Sequence, residues 1–535
     1  MSWLKPPLRI FHQPRAKELK AHSRAPFNQP PLPPLPALPE RTDWLRRVVV
    51  ILCAAGGLGL LSIPFGQFSD FRSEEVLVWG TFLVTLLVAV GGYAIARGDS
   101  DNPFVEPTFL LPGYYFVKFG MGAPLIYYWD RYPWHSLLLA ERFVTFGIRD
   151  NLANACHIIM LGALGFGLGI SIKVSGFAQH IPRINWDIDP EGFRRKMIIY
   201  TPVPLAISTV LQFIVPVEML GTVVLFGWIL SAMAIVGSYW MFTSEGPERK
   251  RWMTYVGVVL LAMLVVGLLS GMVSEFTKPV IMVVWGYLLA RKSIPWRVVA
   301  PVVCVAFLLV FPWLTLYKYV SWNPATATVE DRVQTTNELL GEIDYTSALE
   351  LTADRFLARG ISTPFPAIFS RYFPAIYPYE EGKSFITELA GLVPRALWEE
   401  KPATSIELNR YSIIVGMVAP GTTTSAVFDA VTEYFINFGL PGAFLLSAVH
   451  GLYLCLLFQW LVKSASNSCP ERGHYIIGAA IFLALFTLNL DFFGFVQLFV
   501  LFHVKNIPVW LFIFYLMSRR WGSAPAAALY PWRKS

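Results

Sequence analysis

Charge is what this 535-residue sequence has least of: only 15% of its residues are Asp, Glu, Lys or Arg, while 55% are hydrophobic. A soluble globular domain carries about 25% charged residues, so that class is excluded, in keeping with a mean hydropathy of +0.51. Cysteine is scarce. Cys53, Cys156, Cys304, Cys455 and Cys469 form no CxxC pair, which argues against a disulfide framework and a structural zinc site. Between residues 319 and 433 there is no cysteine or histidine, so a His-based nucleophile triad has no members there. No internal repeat is visible. The first 42 residues lack a short basic region leading directly into an apolar core and cleavage site, and so do not read as a signal peptide. The net charge of +7 does not point to nucleic acid, because much of the excess Lys and Arg sits in tails and short loops, where membrane topology accounts for it.

What the chain has instead is a series of apolar runs near twenty residues long, the length that crosses about 30 Å of hydrocarbon. We read an all-α polytopic membrane protein with about twelve transmembrane helices and one large outer loop. The candidate spans lie at about 46–64, 75–96, 104–128, 151–173, 198–216, 219–241, 252–272, 276–290, 296–318, 434–461, 474–490 and 495–517. The domain plan is a basic, proline-rich tail at 1–42, spans one to nine within 43–318, the loop at 319–433, spans ten to twelve within 434–517, and a tail at 518–535. The third span is interrupted by Pro112, Lys118 and Pro124. Residues 129–150, with Trp129, Trp134 and several arginines, suit an interfacial helix. PPLPPLPALPE at 30–40 cannot bury a core and suits an extended tail.

With the N-terminus placed in the cytoplasm, the loops and tail on that side collect Lys173, Arg194, Arg249, Lys250, Arg291 and Arg519, among others, whereas the opposite short loops hold only Arg72, Arg131, Arg142, Arg149 and Lys278. Positive charge is retained on the cytoplasmic side, so both termini are expected there and residues 319–433 face outward.

That loop is not simply hydrophilic. Residues 344–359 place Leu349, Ala353 and Phe356 at helical spacing, with Asp354, Arg355 and Arg359 on the polar side. Residues 363–384 are rich in proline and aromatics, and cannot form one long helix. GLVPRALWEEKP follows at 391–402, where Arg395 and Lys401 flank Trp398. A guanidinium grips phosphate oxygens in a fork, an ammonium acts as a point charge, and tryptophan stacks on sugars or sits among headgroups. Together they suit an anionic, partly greasy ligand such as a lipid-carried diphosphate. A plainer role is also open: Arg395 and Lys401 pairing with Glu399 and Glu400, or touching lipid headgroups.

The pattern Leu392, Pro394, Arg395, Leu397, Trp398, Lys401, Pro402 resembles the signature of bacterial oligosaccharide repeat-unit polymerases, the O-antigen polymerase or Wzy-type family. Asp354-Arg355-Phe356 is similar to that family's outer-loop arginine helix, and TTTSAVFDAVTEYFINFGLPG at 422–442 to its entry into the next span. SEFTKP at 274–279 falls where the family has a small-residue turn with a basic residue, here Lys278 where arginine is frequent. The resemblance covers mainly residues 270–445. It implies a GT-C-like glycosyltransferase of a bacterial inner membrane, working without a metal or other cofactor. Such an enzyme moves a growing glycan from undecaprenyl diphosphate onto a new lipid-linked repeat unit at the periplasmic face. The partners implied are that lipid-linked oligosaccharide, membrane lipids, and flippase and chain-length regulator proteins.

Breaking the anomeric bond of such a donor releases a diphosphate, whose developing charge needs prearranged cations. Arg395, Arg355 and Lys401 are the leading candidates, followed by Arg371, Arg359 and Lys278, with Trp398 for the glycan. The acceptor hydroxyl needs a base. Glu433 and Asp429, one helical turn apart at the mouth of span ten, are preferred over Glu380, Glu381 and Glu388; a helix-dipole role for Glu433 is equally open. Asn437 and Gly439 suit shaping of the helix entry. Asp187 and Asp189 have DxD spacing, but on the cytoplasmic side. Asp70, Glu74 and Glu75 suit a solvated outer loop. His157, His450 and His503 suit packed, hydrogen-bonded positions, and GALGFGLG at 162–169 suits close helix packing. A polysaccharide ligase and a flippase or transporter are the alternative functions. In a cysteine-free background, a cysteine at position 395 is expected to react with a membrane-impermeant thiol reagent added from outside; labelling from the cytosol alone contradicts the topology.

Overall fold

The structure, a computed structural model, describes residues 42–128, 147–173, 190–202, 220–270, 273–321, 329–390, 393, 398, 410–417, 429–462, 472–489 and isolated positions between 496 and 512. All elements among them are helical. Five helices are long and apolar enough to cross a membrane: Asp43–Leu61, Glu74–Asp99, Leu152–Ser171, Val299–Ser321 and Ala430–Val462. The chain thus has the makings of a multi-pass membrane protein. Of the twelve expected spans, the fifth and twelfth fall largely outside the described residues, as do the interfacial segment, the N-terminal tail, Asp187, Asp189 and His503.

The Leu152–Ser171 helix is the axis of the fold, and most of its residues are buried. It packs against the 43–61, 74–99 and 430–462 helices. Its glycines make this possible. A Cβ on Gly165 would sit on the Phe444 carbonyl, and one on Gly169 on the Ala448 carbonyl, so the backbones meet directly, as small residues allow in membrane bundles. The 43–61 helix runs antiparallel alongside. At one end Arg46 donates to the carbonyls of Ile170 and Ser171 at 3.4 and 3.3 Å and pairs with Asp99, while Lys173 pairs with Asp43 at 2.8 Å. The two Arg46 bonds answer unpaired carbonyls at the helix end. Towards the other end the His157 ring bonds the Leu60 carbonyl at 3.0 Å and stacks on Phe68, 4.3 Å between centroids; this is the packed role expected of it.

A second group joins Leu220–Thr243, Gly246–Ser270, Val273–Arg291 and Arg472–Asn489. Here one expectation is corrected. SEFTKP is no turn: it lies inside the Val273–Arg291 helix together with Pro279, because one proline early in an apolar run does not stop a helix whose neighbours hold it. The third span, expected to be interrupted, carries a π-helical turn at Phe116–Gly120 between Pro107–Tyr115 and Gly122–Tyr127, and the 299–321 helix has a similar turn at Ala306–Val310.

The large loop is mostly helical: Val329–Glu342, Tyr345–Gly360, Pro364–Tyr372 and Lys383–Ala390. The expected 344–359 helix is present, and 363–384 is indeed no single helix. The polar 329–342 helix runs antiparallel along the last turns of 311–321, with Trp313 Nε1 donating to Asn337 Oδ1 at 2.9 Å and Tyr345 reaching the Leu308 carbonyl. Further on, the Ser362 N–H donates to the Lys118 carbonyl at 2.9 Å and the Thr363 hydroxyl to that of Phe119 at 3.2 Å. The loop is therefore built into the bundle wall at the π turn. Gly165→Ala is expected to cost about 1–3 kcal/mol through overpacking, read by thermal unfolding in detergent, whereas Gly59→Ala, with open space around its Cβ position, should stay within about 1 kcal/mol of the parent.

Candidate functional site

The Ala430–Val462 helix is not continuous. At Gly439 the backbone has φ 65° and ψ −152°, a region only glycine visits without strain. Pro441 follows and has no N–H to give. The first half, residues 430–438, thus ends with carbonyls that lack helical partners. The turn at 379–384 supplies donors. Glu380 N–H donates to the Ile436 carbonyl and Glu381 N–H to that of Asn437, each at 3.0 Å, and Gly382 N–H donates to Asn437 Oδ1 at 3.0 Å. The turn reaches this shape through positive φ at Glu381 (50°) and Gly382 (89°).

Side chains lock the junction. Asn437 Nδ2 donates to Ser384 Oγ at 2.8 Å and to the Glu433 carbonyl at 2.9 Å, and Ser384 Oγ donates to Glu433 Oε1 at 2.8 Å. All three residues are buried. Glu380, also buried, accepts from half-exposed Arg410 at 2.9 Å, with the Lys383 ammonium 4.0 Å from its other oxygen. Tyr379 lies over the glycine and meets Phe435 edge to face at 5.8 Å. Asn437 and Gly439 shape the helix entry, as their sequence suggested.

At the break the first half-helix folds back on the second. Tyr434 and His450 would stand about 24 Å apart on a straight helix, yet the Tyr434 hydroxyl and His450 Nδ1 are 2.9 Å apart. A Cβ placed on Gly162, half-way along the 152–171 helix, would be 2.8 Å from Val431. Asp429, expected at the mouth of the tenth span, therefore lies at mid-height of the axial helix. It caps the half-helix: Thr432 N–H donates to Oδ1 at 2.9 Å and Thr432 Oγ1 to Oδ2 at 2.7 Å, the usual device for the first turn. Glu433 bonds upward to the loop at Ser384, whereas Asp429 lines a cavity of about 20 Å³ shared with Tyr114, Tyr115, Phe166, Ser362 and His450.

The cationic candidates are not gathered among the described residues. Arg371 is exposed at the end of its helix, 6.0 Å from the Tyr372 ring. Trp398 is exposed. Lys278 is half-buried and has partners of its own. Arg355 and Arg359 belong to the 345–360 helix, but their side chains, together with all of Arg395 and Lys401, lie outside the described residues. Among the acids, Glu388 is buried and Glu381 exposed, and Glu75 accepts from the Tyr128 hydroxyl. No group of three or more metal-ligating side chains occurs among the described residues. Sequence reading missed Arg410, Ser384, Tyr379, Tyr114 and the part Lys118 plays. Lys118 carried the one available signal, a charge within an apolar run.

A family model matches residues 77–516, that of a domain of unknown function, DUF8712. The match covers most of the chain, which belongs to this family. No curated protein and no solved structure matches it. Gly439→Ala is expected to cost about 1–3 kcal/mol from the forced positive φ, plus a clash with the Tyr379 ring 2.8 Å from the new Cβ. In a double-mutant cycle read by thermal unfolding, Tyr379→Ala should recover the clash and leave the backbone cost.

Proposed function

We propose that this member of the DUF8712 family is a membrane glycosyltransferase that polymerises lipid-diphosphate-linked oligosaccharide repeat units. In this reading about twelve spans form a GT-C-like body in a bacterial inner membrane, with both termini cytoplasmic and the 319–433 loop periplasmic. The resemblance of Pro394-Arg395, Trp398, Lys401-Pro402 and the Asn437-Phe438-Gly439 turn to repeat-unit polymerases supports it. The observation that carries it is the seating of the loop on the helix break, where the 379–384 turn binds Ile436 and Asn437 beside Glu433. That seating brings the loop and an acidic residue to one junction, as transfer between a lipid-held donor and an acceptor requires.

The donor's anomeric C–O bond breaks and negative charge collects on the departing diphosphate. Arg395, Arg355 and Lys401 stabilise it, assisted by Arg371, Arg359 and Lys278, as preorganised cations do for a developing anion. The acceptor hydroxyl gives its proton to Glu433 or Asp429, and Trp398 stacks on the glycan. Flippase and chain-length regulator proteins are the expected partners. A second reading, a flippase or transporter, is favoured by one observation: among the described residues the 430–462 helix is interrupted at Gly439 within an apolar bundle, with Asp429 at mid-height, a feature of transporter sites.

Expression together with the sugar-carrier pathway separates these readings by glycan length. Loss of a polymerase leaves single capped units; loss of a flippase leaves units on the inner face; loss of a ligase leaves long carrier-bound chains. Arg395→Ala, Arg355→Ala and Glu433→Ala are each expected to cut polymerisation, by roughly 10²–10³ for a lost transition-state donor. Unchanged chain length in all three contradicts the proposal.

A further inference from the structure

The cavity beneath the folded-back half-helix brings to Asp429, one of the two proposed bases, polar groups that the glycosyl-transfer reading does not use. His450 is 1% exposed. Its Nδ1 is engaged by Tyr434, while its Nε2, on a ring that lines the cavity, meets no hydrogen-bonding group of the described residues. The Tyr114 hydroxyl, on another wall, is likewise buried and unbonded among them. Asp429 lines the same space, each of its carboxyl oxygens also accepting a bond from Thr432. Two such orphans on residues lining one small, mostly apolar space are unusual, since buried polar groups are nearly always paired. About 20 Å³ is room for a single water, which needs two to four polar partners to stay. Asp429 as acceptor, the Tyr114 hydroxyl as donor or acceptor, and His450 Nε2 as either, according to its tautomer, provide three.

Among the described residues, four elements surround it. The third segment contributes Tyr114 and Tyr115 to the lining; Lys118 is not part of the lining, but its ammonium lies 5.6 Å above the Tyr114 ring and feels the charge of Asp429. Ser362 comes from the loop and Phe166 from the axial helix. Asp429, Tyr434 and His450 come from the two halves of the long helix. The turn carrying Lys118 is π-helical, a local form that recurs at functional sites. A monovalent metal cation is disfavoured by the ammonium. A carboxylate removed from bulk water is costly to keep unless it is paired or takes up a proton.

We propose that this cavity is a protonation site, in which one bound water links Asp429, His450 Nε2 and Tyr114 and passes a proton to and from the Asp429 carboxyl. Uptake forms an O–H bond at an Asp429 oxygen and breaks one in the hydrated proton delivered through the water; no electrons are exchanged. Because Asp429 also caps residues 430–438, its charge state acts on the segment that carries Glu433 and the helix break.

The test uses the full-length chain in lipid nanodiscs, without glycan or carrier, so its outcome is independent of the proposed transferase activity. Infrared difference spectra between acidic and alkaline buffer are compared for the parent and for Asp429→Asn, His450→Phe and Tyr114→Phe. Asparagine caps a helix as aspartate does, so the fold is retained, and circular dichroism checks it. The expected result is a protonated-carboxyl C=O band that titrates reversibly, disappears in Asp429→Asn, and shifts in frequency in deuterium oxide and in both other variants. A band set unchanged by Asp429→Asn overturns the proposal. So does an Asp429 band that neither deuterium oxide nor the His450 and Tyr114 variants move, because that describes an isolated dry carboxyl.

Discussion

Everything distinctive in this fold depends on how the chain satisfies the backbone it breaks at Gly439. In a protein interior, and above all in a hydrocarbon setting, an unpaired carbonyl costs several kcal/mol. Stopping a helix between Ile436 and Leu440 therefore demands donors at fixed places. The 379–384 turn provides them from more than fifty residues away, with Asn437 closing the gap between backbone and turn. Once that staple is in place, residues 430–438 can lie back against 440–462, and Asp429 is carried to mid-height of the axial helix.

Two consequences join structure to chemistry. The 319–433 loop is part of the bundle: it binds the broken helix through 379–384 and the π turn through 362–363, so a ligand that moves the loop also pulls on both helices. The acids near the loop junction also divide their work. Glu433 faces Ser384 and the loop, while Asp429 faces His450 and the interior. Glu433 lies within the nine-residue half-helix and Asp429 at its cap, so the loop contact and the cavity are joined through one short segment.

The outline was legible in the sequence because length and apolarity dictate spans, and because loop helices such as 345–360 announce themselves by amphipathic spacing. The role of Asn437 and Gly439 at a helix entry was legible for the same reason that glycine and proline punctuate helices generally. The fold-back was not. Both halves of 430–462 are buried and apolar around most of their circumference, so no polar stripe marks where one stops facing what the other faces. Asp429 accordingly read as a residue at a span's mouth. The staple was hidden by distance along the chain, since YEEGKS at 379–384 carries no local sign of its target. Lys118 read as a flaw in a weak span; its place over the Tyr114 ring gains meaning only because Tyr114 and His450, more than three hundred residues apart, line one cavity. Arg410 escaped notice because a lone arginine beside a tyrosine gains a role only from the buried Glu380 it meets.

The central claim, that residues 430–438 fold back on 440–462, is tested most directly by a distance. With the native cysteines replaced, cysteines at Ala430 and His450, which line the same cavity, should be joined by a short bifunctional thiol reagent within one chain. A continuous helix would hold these positions about 30 Å apart, beyond the reach of such a reagent. An efficient intramolecular cross-link is the predicted result, and two thiols that both react but never join would contradict the account.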